Sequence, residues 1–413
     1  MLKGIMKRKV ILALINVILL TGCWDMREID ELGLVMAVGI DKAENSNNYI
    51  VTVQIANPKP AEASKSDKSS ASQAVWVASA EGETIFDAVR QLVKISAKRI
   101  MWAHNNIVII GESLARDGIA PVIDYFTHNP ELRMKTFVVV SKGNAKEYVA
   151  STSSMENIPG LALAEVLRYS KLSAEGLETD LLSLSASFFG QDTQPVISAI
   201  SFKKAVIQAD KDKPQGESET IELAGAAVFK KDKMSGWLSP EQTRGVAWIA
   251  NITHNAIVTV VEPGQEYRKV CVEITNVKAD ITSQINGSIP SVIIKIAGTG
   301  SIVEEDGMTN LSMNEFKKEI EKLVADKISA DCKLSMSIIQ KEYKSDILNF
   351  AKIIHVQHGK EWENAISHKW QSIFPIMPVS VEVDINISDS ALIQEPAKAP
   401  KKEGDATDES ENR

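Results

Sequence analysis

The sequence predicts a mixed α/β (α+β) protein in which mixed sheets pack against helices. Short apolar segments with a period of two alternate with segments whose apolar residues recur every three to four positions, which indicates strands between helices. Hydrophobic residues make up 44% and charged residues 24%, the balance of a globular protein. The 413 residues exceed the size of one ordinary domain, so two or three domains are expected.

The first 22 residues have the pattern of a signal peptide. An apolar run at residues 10–20 is interrupted only by Asn16. As a helix this run would be about 16 Å long, well short of the ~30 Å hydrocarbon core of a bilayer. We therefore interpret it as a secretion signal and not as a permanent span. The preceding basic residues are Lys3, Lys7, Arg8 and Lys9.

The apolar run ends in a pattern that resembles a lipobox, formed by Leu20, Thr21, Gly22 and Cys23. The two small residues suit the groove of a signal peptidase, and the thiol of Cys23 can form a thioether with diacylglycerol. We predict cleavage before Cys23 and a diacylglyceryl group, with an added N-acyl chain, on that residue. One acyl chain anchors a protein weakly, whereas this group supplies two. A secreted protein with an incidental cysteine and an uncut N-terminal span remain open as alternatives.

The mature chain is acidic. The signal peptide holds four basic residues and no acid, so its removal lowers the net charge from −8 to −12. Nucleic acid and bare anionic lipid both bind basic surfaces, so the chain as a whole is a poor partner for either. The other cysteines, Cys271 and Cys332, are too few for a disulfide framework, and buried free thiols are favoured over a bridge.

Residues 23–201 are predicted to form an N-terminal α/β domain. The first strand, 32–40, has large apolar residues on one face and small residues on the other, which predicts a closely packed neighbour on the small face. Residues 61–72 are polar and predict a mobile loop. The stretch before 201 is interpreted as helical, with Pro159 opening one element. Further strands are predicted at 49–55, 74–80, 107–110 and 136–140, and helices at 85–96 and 119–126.

Two smaller domains are predicted to follow, a middle one at 202–264 and a C-terminal one at 265–392. Charged residues at 203–220 indicate a linker, and Ser239, Pro240 and Gln242 form a helix-start signature. In the C-terminal domain the alternation changes phase at Thr275-Asn276, which predicts a bulge. Residues 393–413 predict a disordered tail. The other predicted elements are strands at 223–230, 257–261, 291–296 and 379–387, and a helix at 316–328 that opens with a capping box at Ser312.

Several motifs, in order along residues 23–390, are similar to those of one known family. They are Cys23-Trp24-Asp25, Gly39-Ile40-Asp41, Ala103-His104-Asn105, Glu222-Leu223-Ala224-Gly225, Gly236-Trp237-Leu238, Trp362, Trp370 and Phe374-Pro375. Together they resemble the Ger(x)C spore germination lipoproteins, the C subunits of nutrient germinant receptors. The chain departs from the family at His128, where Arg is usual, and at residues 346–351, where the family is richer in glycine.

The resemblance implies a three-domain lipoprotein on the outer face of the spore inner membrane of a Gram-positive spore former. It also implies a receptor shared with two integral membrane subunits, of the A and B types, through which nutrients trigger germination. No cofactor is implied apart from the lipid on Cys23. The nutrient, and whether this subunit contacts it, remain open.

The residues themselves indicate no enzyme. The sequence lacks the G-x-S-x-G, P-loop and H-E-x-x-H motifs. His355 and His358 suggest a metal site only weakly, since the spacing to nearby acids is uneven, and exposed polar residues are favoured. For Trp362 and Trp370, eight residues apart, a place in the core is favoured over a partner contact. His104-Asn105-Asn106 is interpreted as a loop whose polar groups are satisfied.

The favoured function is therefore a lipid-anchored, non-enzymatic receptor subunit. The alternative is the extracytoplasmic solute-binding lipoprotein of an uptake system, which carries the same anchor. That class has two α/β lobes joined by hinge strands, and the alternating strands of the last third of this chain fit it poorly. A lipid-anchored hydrolase is disfavoured because the nucleophile and metal motifs are absent from the sequence.

Overall fold

The computed structural model describes residues 31–56, 75–151, 158–170, 174, 176–190, 193–206, 217–253, 255–261, 268–287, 289–305 and 313–388, together with Met6. Two mixed sheets with packed helices form the fold, which confirms the predicted mixed α/β class. The strands of the first sheet are β1 Leu32–Lys42, β2 Tyr49–Ala56, β3 Val75–Gly82, β4 Arg99–Met101, β5 Ile107–Gly111, β6 Phe137–Ser141, β7 Val196–Val206, β8 Glu217–Lys230 and β9 Lys233–Leu238.

The first sheet has a parallel centre and antiparallel sides. Its order is β3-β2-β1-β5-β6-β7-β8-β9, with β4 beside the start of β1. Strands β1, β5, β6 and β7 are parallel. Every residue of β5 and β6 is buried, as expected for parallel strands covered by helices on both faces. The helices of this region are α1 Ile85–Ile95, α2 Glu112–Asp117, α3 Ala120–His128, α4 Ala145–Ala150, α5 Pro159–Tyr169 and α6 Leu181–Phe189.

The small face of β1 meets its predicted neighbour. A Cβ added at Gly39 would lie 2.9 Å from Cγ2 of Val149 in α4. A Cβ added at Gly160 in α5 would lie 2.6 Å from the Cβ of Ala37. Two helices therefore approach β1 too closely for larger side chains, which confirms the prediction.

The predicted linker at 203–220 is wrong for its described residues. The helical interpretation of the stretch before 201 is confirmed for α5, which Pro159 opens, and for α6, but it is wrong from Val196, where β7 begins. Strand β7 ends at Val206 and β8 begins at Glu217, and the two pair antiparallel. Lys203 Nζ lies 2.8 Å from Glu222 Oε2 across the pair. Charged residues such as those at 203–220 occur both in linkers and in exposed, paired strands. Their composition alone therefore did not distinguish the two. The predicted boundary at 201/202 falls inside β7, and the three-domain division stays a prediction.

The second sheet is covered on one face. Its strands are β10 Asn255–Val261, β11 Lys269–Asn286, β12 Ile289–Glu305 and β13 Val379–Ile387, in that order, with β13 parallel to β12. Val258, Val272 and Ile294 share its core with Phe316 and Ile320 of the covering helix. The covering elements are α7 Pro240–Ile249, α8 Met313–Ser337 with a π-helical extension Ile338–Tyr343, α9 Phe350–Gln357, α10 Gly359–Glu361, a π-helical turn Trp362–Ile366, a 3-10 turn Ser367–Lys369, α11 Trp370–Ile373 and a 3-10 turn Phe374–Ile376.

Two local predictions in this half are confirmed. The pairing of β11 with β12 shifts register between Thr275 and Lys278, and Asn276 has a left-handed φ of 53°. At the start of α7, Ser239 Oγ accepts from the Gln242 N–H and Gln242 Oε1 accepts from the Ser239 N–H, at 3.2 and 2.8 Å. The loop at 61–72, the capping residue Ser312 and the tail 393–413 lie outside the described residues.

Strand β8 joins the two halves. Ala226 and Val228 belong to the core beneath the second sheet. Ala227 and Phe229 belong to the core on one face of the first sheet. Because successive side chains of a strand point to opposite faces, this one strand contributes to both cores.

Candidate functional site

Cys23, the residue predicted to carry the lipid, and Leu20, Thr21 and Gly22, predicted for recognition by the signal peptidase, lie outside the described residues. After the signal-like segment the structure describes the chain from Glu31, and β1 begins at Leu32. Leu32 pairs with Arg99 of β4, whereas β1 first meets β5 at Ala37. The start of β1 therefore projects beyond the edge where β5 and β6 begin. We call this the N-terminal edge of the first sheet.

An aromatic cluster and a buried amide lie close to this edge. Trp102 packs edge-to-face against Tyr125 and Phe126, with ring centroids 6.5 and 6.4 Å away. The backbone carbonyl of Asn105 accepts from Thr136 Oγ1 at 3.0 Å. The side chain of Asn105 is 3% exposed, and its Oδ1 and Nδ2 have no hydrogen-bond partner among the described residues. The prediction of satisfied polar groups is wrong here, because a polar run before a strand does not reveal how deeply it lies.

Asp41, from the Gly39-Ile40-Asp41 motif, lies at the opposite edge of the sheet and anchors a helix. Its Oδ1 accepts from the Ala145 N–H at 2.7 Å and its Oδ2 from the Lys146 N–H at 2.9 Å. Burial raises the pKa of this carboxyl, and the two backbone hydrogen bonds oppose the shift. A Cβ on Gly111 would collide with the carboxylate, so the glycine makes room for it. The motif thus fixes the N-terminus of α4 to β1.

Trp237, from the Gly236-Trp237-Leu238 motif, connects the two halves of the molecule. Its indole N–H donates to Glu112 Oε1 at 3.3 Å, and its carbonyl accepts from the Tyr343 hydroxyl at 2.7 Å. A Cβ on Gly236 would lie 2.5 Å from Cε1 of the Tyr343 ring. The motif therefore bridges α2 and the π-helical end of α8.

Asp346 lies within the stretch that departs from the family pattern. Its carboxylate accepts from the N–H groups of Phe350 and Ala351 at 3.1 and 2.8 Å and so caps α9. Burial raises the pKa of this carboxyl to about 6, although the two backbone hydrogen bonds act to lower it. Its carbonyl accepts from the Gln194 N–H at 3.1 Å, which ties this cap to the first sheet region.

Trp362 and Trp370 lie in the core, as favoured from the sequence. They are 3% and 6% exposed, and their rings are 5.3 Å apart. His355 stacks on Trp362 at 5.7 Å, whereas Nε2 of His358 lies 3.0 Å from the carbonyl of Ser283. The two histidines thus have separate contacts. In the part of the chain that the structure describes, no three potential metal ligands come together.

Both remaining cysteines are free thiols. Cys332 is buried, and burial raises its pKa to about 12, so this thiol is unreactive at neutral pH. Cys271 is partly exposed on β11, where its Sγ lies 3.4 Å from Thr259 Oγ1. The prediction of buried thiols therefore holds for Cys332 and fails for Cys271, whose side chain points to the uncovered face of the second sheet.

A cleft of about 510 Å³ opens where α6, the β8–β9 turn and α11 meet. Phe188, Lys231, Asp232 and Gln371 contribute to its lining. One carboxylate beside lysines in an open cleft is not specific for any ligand class, so no ligand-binding residue is assigned. Within the described ranges, no helix has both the length and the apolar character needed to cross a bilayer.

Two models of spore germination domains match the chain. The model described as "Spore germination protein N-terminal domain" matches residues 25–202, and that described as "Spore germination B3/ GerAC like, C-terminal" matches residues 224–391. The chain belongs to the Ger(x)C family. This assignment confirms the resemblance drawn from the motifs and places the Ger(x)C protein among proteins of spore germination.

Relatives of this Ger(x)C protein match along nearly their full length. Spore germination protein KC of Bacillus subtilis (strain 168) is 26% identical over 408 residues, covering 95% of this chain and 98% of that protein. Spore germination protein B3 of the same strain is 24% identical over 378 residues, covering 89% and 94%. The crystal structure of the GerBC protein superposes with a TM-score of 0.52 at 19% identity, covering 87% of this chain and 99% of that one. At this identity the GerBC structure supports the fold alone.

The sequence shows the motifs that contain Asp41 and Trp237, but the contacts of these two side chains were not predicted from it. Asp41 is an acid at the end of an apolar strand, and that placement was the available signal for a buried structural carboxylate. The bridge from Glu112 to Trp237 spans 125 residues and left no local signal.

Proposed function

We propose that this Ger(x)C protein is the lipid-anchored, non-enzymatic subunit of a nutrient germinant receptor. It acts on the outer face of the spore inner membrane together with two integral membrane subunits, of the A and B types. The observation that carries the proposal is the family match over residues 25–202 and 224–391, which starts two residues after the lipobox cysteine.

The anchor follows from the N-terminal sequence. Cleavage before Cys23 would leave eight residues, 24–31, between the acylated sulfur and the first strand. A fully extended segment of this length reaches about 28 Å, so the first sheet stays close to the headgroups. The two chains of the diacylglyceryl group make the attachment stable.

The contacts of the family motifs support a structural subunit. Asp41 binds backbone N–H groups, Trp237 bridges two elements, and Trp362 fills the core. Each of these side chains is used to hold the fold together. Side chains used in this way give a rigid body with a defined surface, which suits a protein that acts through its partners.

The Cys23→Ala variant tests the anchor. We expect normal folding, loss of the protein from the membrane fraction and a markedly weaker germination response to nutrients. The measurements are flotation of spore membranes, mass spectrometry of the mature N-terminus and the loss of optical density during germination. Cys271→Ala, at a partly exposed thiol outside the motifs, is the matched control and should behave as wild type. A Cys23→Ala protein that stays in membranes lacking the partner subunits contradicts the proposal.

A thermal shift assay separates this role from solute binding. A solute-binding lipoprotein closes two lobes around its ligand, and its melting temperature rises strongly with saturating ligand. We expect no such shift with free amino acids or sugars when the protein is isolated. The two regions differ in strand number, order and helical covering, which supports the receptor role over paired lobes.

A further inference from the structure

The N-terminal edge of the first sheet carries a group of basic side chains in two segments, 94–99 and 131–135. We call this group the basic edge; it consists of Lys94, Lys98, Arg99, Arg133 and Lys135. Lys98 is half-buried and the other four are exposed. Glu131 is the single acid in these two segments, so together they carry a net charge of +4 in a chain of net charge −8.

The two segments lie side by side. Arg99 Nη2 is 3.6 Å from Glu131 Oε1, and Glu131 Oε2 accepts from the Trp102 N–H at 3.5 Å. The carbonyl of Arg133 accepts from the Thr136 N–H at 3.0 Å, just before β6 begins. The C-terminal end of α1, the start of β4 and the turn before β6 therefore present their charges at the same edge.

The predicted tether enters at this same place. Leu32, the first residue of β1, pairs with Arg99, and the Cβ of Lys98 would be 3.6 Å from a Cβ on Gly33. Cys23 precedes Glu31 by eight residues. A lipid on Cys23 would hold the basic edge within about 28 Å of the bilayer, whatever path the segment takes.

The neighbouring acids do not cancel this charge. Glu131 is paired with Arg99, and the charges of Glu31, Glu178 and Asp180 lower the sum over the described residues at this edge from +4 to +1. Ile95 is 57% exposed between the basic residues, so the edge combines positive charge with an exposed apolar side chain.

We propose that the basic edge binds anionic lipid headgroups of the bilayer in which Cys23 is anchored. This inference rests on the proposed lipid anchor and adds an orientation to it: the first sheet stands with its N-terminal edge on the membrane. Basic residues near an anionic leaflet each strengthen association several-fold, and the effect fades beyond a Debye length of about 8 Å. The tether removes the entropic cost of approach, so a modest basic patch suffices.

Lysine modification on vesicles tests the orientation. The full lipidated protein is reconstituted into vesicles of phosphatidylcholine alone or of phosphatidylcholine with phosphatidylglycerol, and exposed amines are acetylated and quantified by peptide mass spectrometry. With phosphatidylglycerol we expect roughly threefold protection of Lys94 and Lys135, lost at about 0.5 M salt. Lys146, on α4 at the opposite edge, is the internal control and should react equally on both vesicles.

A charge-reversal pair completes the test. Arg133→Glu with Lys135→Glu leaves the Arg99–Glu131 pair in place and should abolish the protection of Lys94. The matched control, Lys146→Glu with Lys341→Glu, changes the net charge by the same amount at exposed sites away from the basic edge. In this control Lys94 should remain protected.

Flotation separates the two proposals. If the protein floats with both vesicles and Lys94 and Lys135 react equally on them, the basic edge does not bind lipid although the anchor stands. If protection appears only when the membrane subunits are present, whatever the lipid charge, a protein partner occupies the edge and the proposal is wrong. If the protein does not float at all, the lipid anchor itself fails.

Discussion

The two sheets of this Ger(x)C protein differ in how many of their faces are covered and in how many hydrophobic cores they pack against. The first carries helices on both faces and is lined by two separate cores. The second is covered on one face and depends on a single core. Its outer face remains partly apolar, with Ile257 and Val261 of β10 61% and 47% exposed. The first region therefore spreads its stability over two layers of packing, whereas the second concentrates it in one.

The two regions are not independent, because strand β8 lies in the first sheet but supplies buried side chains to the cores of both regions. Loss of packing beneath the second sheet should first loosen that region. Damage to β8 should affect both. This expectation makes the comparison testable by variants that act on one region or on the shared strand.

The largest effect is expected for Trp362→Ala in the single core of the second region. Removing a buried tryptophan costs about 3–5 kcal/mol through lost burial and the cavity left behind. Hydrogen exchange should show deprotection of β10 to β13, while β5 and β6 stay protected. Phe86→Ala in α1 is the matched control, because Phe86 is 55% exposed and its loss should cost less than about 1 kcal/mol. Equal deprotection of both sheets would contradict the contrast between them.

The same contrast explains which elements the sequence predicted well. Strands β10 and β13 alternate between buried and less buried residues, and the period of two is visible in the sequence itself. Strand β7 lies in the centre of the first sheet and continues into a charged extension. Burial on both faces removes the alternation, so its residues resembled the end of a helical stretch followed by a linker.

One part of the candidate site could be predicted from the sequence and another could not. The lipobox is a local pattern, and the sequence alone suffices to propose it. The basic edge is assembled from residues 94–99 and 131–135, which are brought together by the pairing of β4 and β5 with β1 and of β6 with β5. An overall net charge of −8 hides a local charge of opposite sign. Only the fold shows that these segments lie beside the start of β1.

The second prediction concerns the shared strand. Gly225 has φ +97° at a bulge in β8, where Ile200 pairs with Leu223 but Ser198 pairs with Ala226. A Cβ there would collide with the carbonyl oxygen of Leu238. We expect Gly225→Ala to lower the free energy of unfolding by about 2–3 kcal/mol, through backbone strain and overlap.

A second glycine separates these two causes. Gly143 also has a positive φ, +89°, but no atom lies within 4 Å of an added Cβ. Gly143→Ala should therefore cost only the backbone term of about 1 kcal/mol. Urea unfolding of both variants gives the difference, and hydrogen exchange should show that Gly225→Ala loosens both sheets. Loosening confined to one sheet would mean that β8 does not couple the two regions.

The last prediction is a pH dependence at Asp346, the buried cap of the second region. Its folded pKa of about 6 lies above the usual 3.8, so the folded state binds this proton more tightly than the unfolded chain does. The stabilisation is therefore complete below pH 3.8 and is lost as the pH rises through about 6. Relative to Asp346→Asn, which does not titrate, the wild type should lose about 1 kcal/mol of stability per pH unit between these values. Urea unfolding of both proteins from pH 4 to 7 measures this difference. Asp41→Asn should show the same sign in the first region, since burial raises that pKa too. Parallel pH profiles for wild type and Asp346→Asn would mean that water reaches the carboxylate, and that the single core of the second region is less tightly closed than its packing indicates.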